Sequence, residues 1–281
     1  MKKFASLLFA LALSCTVAFG WGRQGHATVA KIAEKYLTET TKKALSEYLH
    51  GNSIVAYASY ADEYKEALPV DYGFVGDDGL QVRAYPHTFE VNMDFKPFPT
   101  CNDNGRYVKN CLYFIDKYAE DLRENAKDMD DSTRFVEIVM IVHWLGDMHC
   151  PEHIRYNPED MTIGGYQIVY QGESLKYHTF WDKQCIVDHY PWSFSDLAYI
   201  FDNASDSERA EICAGDVWDW GEDSARNSYP IHAIKPGEKL KGAWIRDVCH
   251  PLVEKQLRNA GYRLAHQLNM IFDAKYAKKN R

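Results

Sequence analysis

One stretch constrains this chain more than any other. Phe135, Ile138, Val139, Val142 and Leu145 recur at helical spacing in its most apolar predicted helix, opened by a capping Asp131 or Ser132. A helix this apolar belongs in a core. Yet it carries His143 and Asp147, four residues apart and so one turn apart on one face. A buried imidazole and carboxylate must be paired or metal-bound to offset their desolvation. One such pair is weak evidence, because His-x3-Asp on a helix is more often an exposed or capping arrangement. His178 and Asp182 repeat the spacing, however, and His153 stands six residues after Asp147. Two helices thus each offer a nitrogen and an oxygen suited to zinc.

Helical spacing dominates the rest of the chain. Val29, Ile32, Ala33, Tyr36 and Leu37 form one stripe, Leu45, Tyr48 and Leu49 a short second, and Leu112, Ile115, Tyr118 and Leu122 another. Further helices are predicted over Ile54–Lys65, Ser174–Cys185, Ser193–Phe201, from a Ser205/Glu208 capping box to Arg226, and from Pro251 to Lys275. Strand signals at Thr88–Val91 and Ile168–Tyr170 support at most small hairpins. The expectation is an all-α, single-domain helical bundle over residues 21–281, with no internal repeat and no Pro/Gly/Ser-rich linker.

Residues 1–20 read as a signal peptide. Lys2 and Lys3 precede an apolar run from Phe4 to Phe19, and small residues close it before Trp21. The run is shorter than the ~20 residues a membrane span requires. A lipid anchor at Cys15 is disfavoured by Ala12, where Leu is usual. Cleavage before Trp21 predicts a secreted or periplasmic protein without stable membrane association. Loss of Lys2 and Lys3 turns the net charge of −8 into −10, so a polyanionic substrate needs a local positive centre, which a metal cluster supplies. The mature chain keeps Cys101, Cys111, Cys150, Cys185, Cys213 and Cys249, an even number that in an exported protein suggests up to three disulfides. No CxxC pair suggests a thiolate zinc site.

Several motifs occur in order: Trp21-Gly22 with Gly25-His26-Ala27-Thr28, Ala61-Asp62-Glu63, the run from His143-Trp144 to Glu152-His153, His178-Thr179-Phe180-Trp181-Asp182, and Trp220-Gly221-Glu222-Asp223. The chain resembles the S1/P1 nuclease family of trinuclear-zinc, single-strand-specific nucleases, mung bean nuclease among them. The resemblance covers essentially the whole mature chain and implies the fold shared with zinc phospholipase C. It implies three Zn2+. One takes Asp62, His87, His143 and Asp147. A second takes the amino group and carbonyl of Trp21, with His26 and a shared Asp147. The third, more exposed, takes His153, His178 and Asp182. Asp62 would orient the attacking water and Lys65 would balance charge on the phosphoryl oxygens, making these the catalytic pair. His149 matches no ligand and reads as supporting or surface; the tryptophans at 144, 181, 218, 220 and 244 read as core.

The base-reading positions depart from that family. Thr88 stands where an aromatic residue is usual after the His87 equivalent, and Glu90 where Asp is usual. Gly164-Gly165 is followed by Tyr166 rather than Asn, and Lys176-Tyr177 replaces Asn-Leu. Base stacking then falls to Tyr166, Tyr177 or Phe89. The implied activity is an endonuclease on single-stranded DNA and RNA giving 5′-phosphorylated products, with 3′-nucleotides as further substrates. The alternatives are a zinc phospholipase C-like enzyme and a non-catalytic zinc-binding periplasmic protein. Here the first histidine lies five residues from Trp21 and the last carboxylate is Asp182, which favours the nuclease over the lipase.

Overall fold

The computed structural model describes residues 21–64, 85–103, 106–156 and 165–280. The expected signal peptide, Lys65 and Gly164 lie outside these. The protein is all-α with only small strand pairs. Its principal helices are α1 (Gly22–Tyr36), α2 (Glu39–Tyr48), α3 (Tyr60–Glu63), α4 (Cys111–Asn125), α5 (Asp131–Asp147), α6 (Phe194–Phe201), α7 (Asp206–Ile212), α8 (Val217–Ser228), α9 (His250–Phe272) and α10 (Ala274–Lys279).

The most apolar helix holds the centre. Every residue of α5 from Val136 to Asp147 is buried, and α1, α4 and α9 pack around it. Asp130, rather than Asp131 or Ser132, caps it by accepting from Thr133 N–H. One apolar cluster runs from Trp21 to Ile271 and includes Trp144, Trp181 and Trp220 at their full size. No helix among the described residues is long and apolar enough to cross a membrane.

The structure breaks several of the predicted helices. The described part of the predicted Ile54–Lys65 helix is instead a 3-10 turn, Ile54–Tyr57, followed by the single turn of α3. The Ser205/Glu208 capping box forms as expected, but its helix ends at Ile212, and Gly215 at φ +81° turns the chain before Asp216 caps α8. Ser174–Lys176 is not helical. It belongs to a hairpin of β5 (Gln167–Tyr170) and β6 (Glu173–Lys176), reversed through Gln171 and Gly172, both at positive φ. Helical turns begin only at Tyr177 and continue to Val187, with a π-helical stretch over Phe180–Gln184.

A second hairpin pairs β2 (Thr100–Asp103) with β3 (Arg106–Lys109). The Thr88–Val91 signal forms strand β1 (Phe89–Val91), which doubles back to an antiparallel bridge between Val91 and Pro97 and also pairs in parallel with β4 (Ile154–Tyr156), Phe89 opposite Ile154. His87 and His153 lead directly into these two strands, so this short ladder sets the two histidines side by side.

Cys150, Cys185, Cys213 and Cys249 are free thiols, all but Cys213 buried, so the expected set of three disulfides is not formed among the described residues.

Candidate metal centre

Four separate elements deliver the polar groups of the buried centre. His26 comes from α1, Asp62 from α3, His143 and Asp147 from α5, and Asp182 from the π-helical turn. All five are at most 4% exposed, as is His153 from the turn after α5. His87 and His178 are half-buried. They form the solvent side of the cluster.

Asp147 is its hub. Its Oδ2 lies 3.1 Å from His143 Nε2, and its Oδ1 lies 3.4 Å from both His26 Nε2 and His153 Nδ1. On one side, Asp62 lies 3.7 Å from His143 Nε2 and 3.9 Å from His26 Nε2, and the two imidazoles stack at 4.0 Å. On the other, Asp182 lies 3.5 Å from His153 and 3.0 Å from His178. The His26 ring fits because Gly146 faces it: a Cβ there would stand 2.6 Å from His26 Nδ1.

Titration behaviour follows from this crowding. Burial opposes a charge on His143, yet Asp147 and Asp62 outweigh it and lift the imidazolium to about 9. Asp147 resists its own burial because His143 and His153 hold it well below the carboxylate range. Burial pushes Asp182 up to about 8 and His178 down to about 4. Asp147 is thus held ionised and His178 neutral, while without a cation His143 and Asp182 keep protons that a bound cation would displace.

The arrangement fits a cation. Both nitrogens of His26 and of His153, both oxygens of Asp147, Oδ2 of Asp62 and of Asp182, and Nε2 of His178 are buried without a hydrogen-bond partner. So many unsatisfied polar atoms in one place are costly. Two groups have ligand atoms mutually within 4.8 Å: His26 with Asp62 and His143, and Cys150 with His153 and Asp182. Imidazole and carboxylate are zinc donors. His143 Nδ1 lies 2.8 Å from the Ala58 carbonyl, which holds one ring proton there and leaves Nε2 facing the cluster, where a cation would displace its proton.

The other predicted residues fall as follows. Trp21 is buried at the start of α1, and its carbonyl accepts from Gly25 N–H. His87 packs edge-on to His153 at 5.0 Å, while its Nδ1 faces the Tyr85 carbonyl at 3.1 Å. Phe89 and Tyr177 are fully buried, and Tyr177 O–H donates to Ile231 O, so neither ring has an open face for a base. Thr88 is buried and Glu90 half-buried. Tyr166 is half-buried against Tyr177 and donates to Ile234 O.

Three residues had no site role in the sequence reading. Tyr85, 3% exposed, donates to Asp62 Oδ1 at 2.8 Å and stands 2.9 Å from His143 Nε2. Cys150 S–H points to Asp182 Oδ1 at 3.7 Å. Arg263 explains His149: its guanidinium lies 2.9 Å from His149 Nε2, donates to Asp223 and to Ile212 O, and so ties the turn after α5 to α7, α8 and α9. Burial and that neighbouring charge push His149 down to about 3. It is a neutral strut.

Comparison with known proteins agrees with this chemistry. A family model described as S1/P1 Nuclease matches residues 21–273. Nuclease S1 of Aspergillus oryzae is 27% identical over 292 residues, covering 91% of this chain and 93% of its own. Endonuclease 5 of Arabidopsis thaliana is 25% identical over 285 residues, covering 92% of each chain. Nuclease P1 of Penicillium citrinum is 22% identical over 292 residues, covering 92% of this chain and all of its own.

Proposed function

The chain belongs to the S1/P1 nuclease family, and from that premise we propose an exported zinc phosphodiesterase that begins at Trp21 and cleaves single-stranded DNA and RNA to 5′-phosphorylated products. The observation that carries the reading is the convergence of buried, unpartnered carboxylate and imidazole atoms on Asp147. When bound, three Zn2+ would supply Lewis acidity and offset the charge of the phosphodiester. Asp62, His87, His143 and Asp147 would hold one. Trp21, His26 and Asp147 would hold the second, and His153, His178 and Asp182 the third.

The remaining work belongs to the protein's own groups. Asp62 orients the water that attacks phosphorus in line, and Lys65 balances charge on the phosphoryl oxygens. His87 and His178, the two half-buried members, border the approach for substrate. A duplex carries its phosphates on a stiff outer rail, whereas a single strand bends into a concave site with its bases splayed. Because Phe89 and Tyr177 are buried, Tyr166 is the remaining candidate among the three for stacking. Base stacking contributes about 1–3 kcal/mol per base where it is present, so short substrates suffer most from its scarcity.

The deciding assay offers zinc-loaded protein single-stranded DNA, single-stranded RNA, duplex, a 3′-nucleotide and phosphatidylcholine side by side. Both single strands should be cut to 5′-phosphorylated ends, duplex slowly, and the 3′-nucleotide poorly. Cleavage confined to the lipid would make the protein a phospholipase. Hydrolysis of none of them would leave a zinc-binding protein without this activity.

A further inference from the structure

The two residues before His178 depart from the usual Asn-Leu, and the fold gives them different tasks. Tyr177 is buried, donates its O–H to Ile231 O at 2.9 Å and its backbone N–H to Tyr166 O at 3.1 Å, and so fixes the chain where β6 passes into the turn that carries His178. Lys176 closes β6 opposite Gln167 and is exposed. Its ammonium makes no ion pair with any described carboxylate. At the other end of the cluster the cation is neutralised, because Arg23, three residues before His26, pairs with Glu63 at 2.7 Å.

Lys176 is thereby held at the rim of the centre. It stands two residues before His178, whose ring stacks on His153 at 5.1 Å, and Arg155 stands two residues after His153 on β4, beside Glu90. Burial above all keeps the His178 imidazole neutral, and the charges of Arg155 and Lys176 add to that effect. An asparagine at 176 would bring no charge. A lysine brings a compact ammonium on a flexible stem, which suits a phosphate without demanding a fixed geometry. In a chain of net charge −8, an unpaired ammonium beside the half-buried histidine draws a polyanion toward the metal-bearing end.

We propose that Lys176 is a substrate-binding residue whose ammonium takes a phosphate adjacent to the scissile one. The contact adds affinity only for substrates that carry a second phosphate, so a strand gains from it and a 3′-mononucleotide does not. The inference rests on the nuclease reading above, and its test separates the two.

Zinc-loaded protein is offered single-stranded trinucleotides in which one linkage is either a phosphodiester or a neutral methylphosphonate, in both orders, and cleavage at the other linkage is followed. One phosphate contact on a single strand adds about 0.7 to the slope of log affinity against log salt, which is about fivefold in affinity at about 0.1 M salt. In wild type the neutral linkage in one of the two orders should therefore raise KM about fivefold. Lys176→Asn should raise KM for the fully charged strand by the same factor and become indifferent to the neutral linkage, whereas Lys176→Arg should keep the discrimination. A purely structural role would raise KM for charged and neutral strands alike in Lys176→Asn, and that result overturns the assignment, as does equal KM for both strands in wild type. Lys176→Gln repeats the measurement should the Asn variant misfold. If wild type hydrolyses no single strand at all, the nuclease reading falls with the assignment.

Discussion

Glu137 shows how a single residue of the central helix departs from its surroundings. It is 7% exposed, its Oε2 meets no partner, and the Lys117–Asp121 ion pair lies on the neighbouring α4. Burial and Asp121 raise its carboxyl from 4.5 to about 7 against the opposing effect of Lys117. Below about pH 4.5 both folded and unfolded chains hold the proton and no stability is lost. Between there and about pH 7 the unfolded chain ionises first, so stability falls as pH rises, and the full cost is present above that. Glu137→Gln should therefore stabilise the protein by about 1–3 kcal/mol at pH 8 and by little near pH 4. Denaturant melts of metal-free protein at the two pH values check this; an equal difference at both would refute the linkage. At this scale the sequence was informative where spacing repeats, as at His143/Asp147 and His178/Asp182. It was silent on the contacts of Tyr85 with Asp62, of Cys150 with Asp182 and of Arg263 with His149, which join residues distant in the chain.

At the scale of elements, long stripes were legible and their interruptions were not. The α1, α4, α5 and α9 patterns each span several turns, so periodicity outvotes any one residue. The short pieces turn on local details, such as Gly215 ending a helix or the Gln171-Gly172 reversal making Ser174 part of a strand. The parallel pairing of β1 with β4 joins residues 65 apart for Phe89 and Ile154, and no local pattern announces it. Elements also meet where side chains allow it. Gly146 lets α1 bring His26 against α5, since an added Cβ would lie 2.6 Å from Nδ1 and 2.9 Å from Cε1. Gly146→Ala should push His26 away from Asp147, lower zinc content and cost about 1–3 kcal/mol of stability. Elemental analysis with a melting curve tests it, and unchanged values in both would show that the helices yield freely.

For the molecule as a whole, Trp21 is the decisive position, because the proposed second zinc requires its amino group to be released from a preceding residue. A secreted form carrying one verified extra residue before Trp21 should lose zinc and most nuclease activity; full activity would dismiss that ligand set. The buried thiols have a different consequence. With Cys150, Cys185 and Cys249 enclosed and unbridged, no covalent tie at these sulfurs limits how far the chain opens around them once its packing fails. An alkylating reagent reaches these sulfurs only during such openings and then prevents reclosure around them. Each labelled sulfur is thus a permanent record of one excursion from the native state, and because Cys150 lies beside Asp182, its labelling rate is a clock for how long the metal-bearing end of the bundle stays shut.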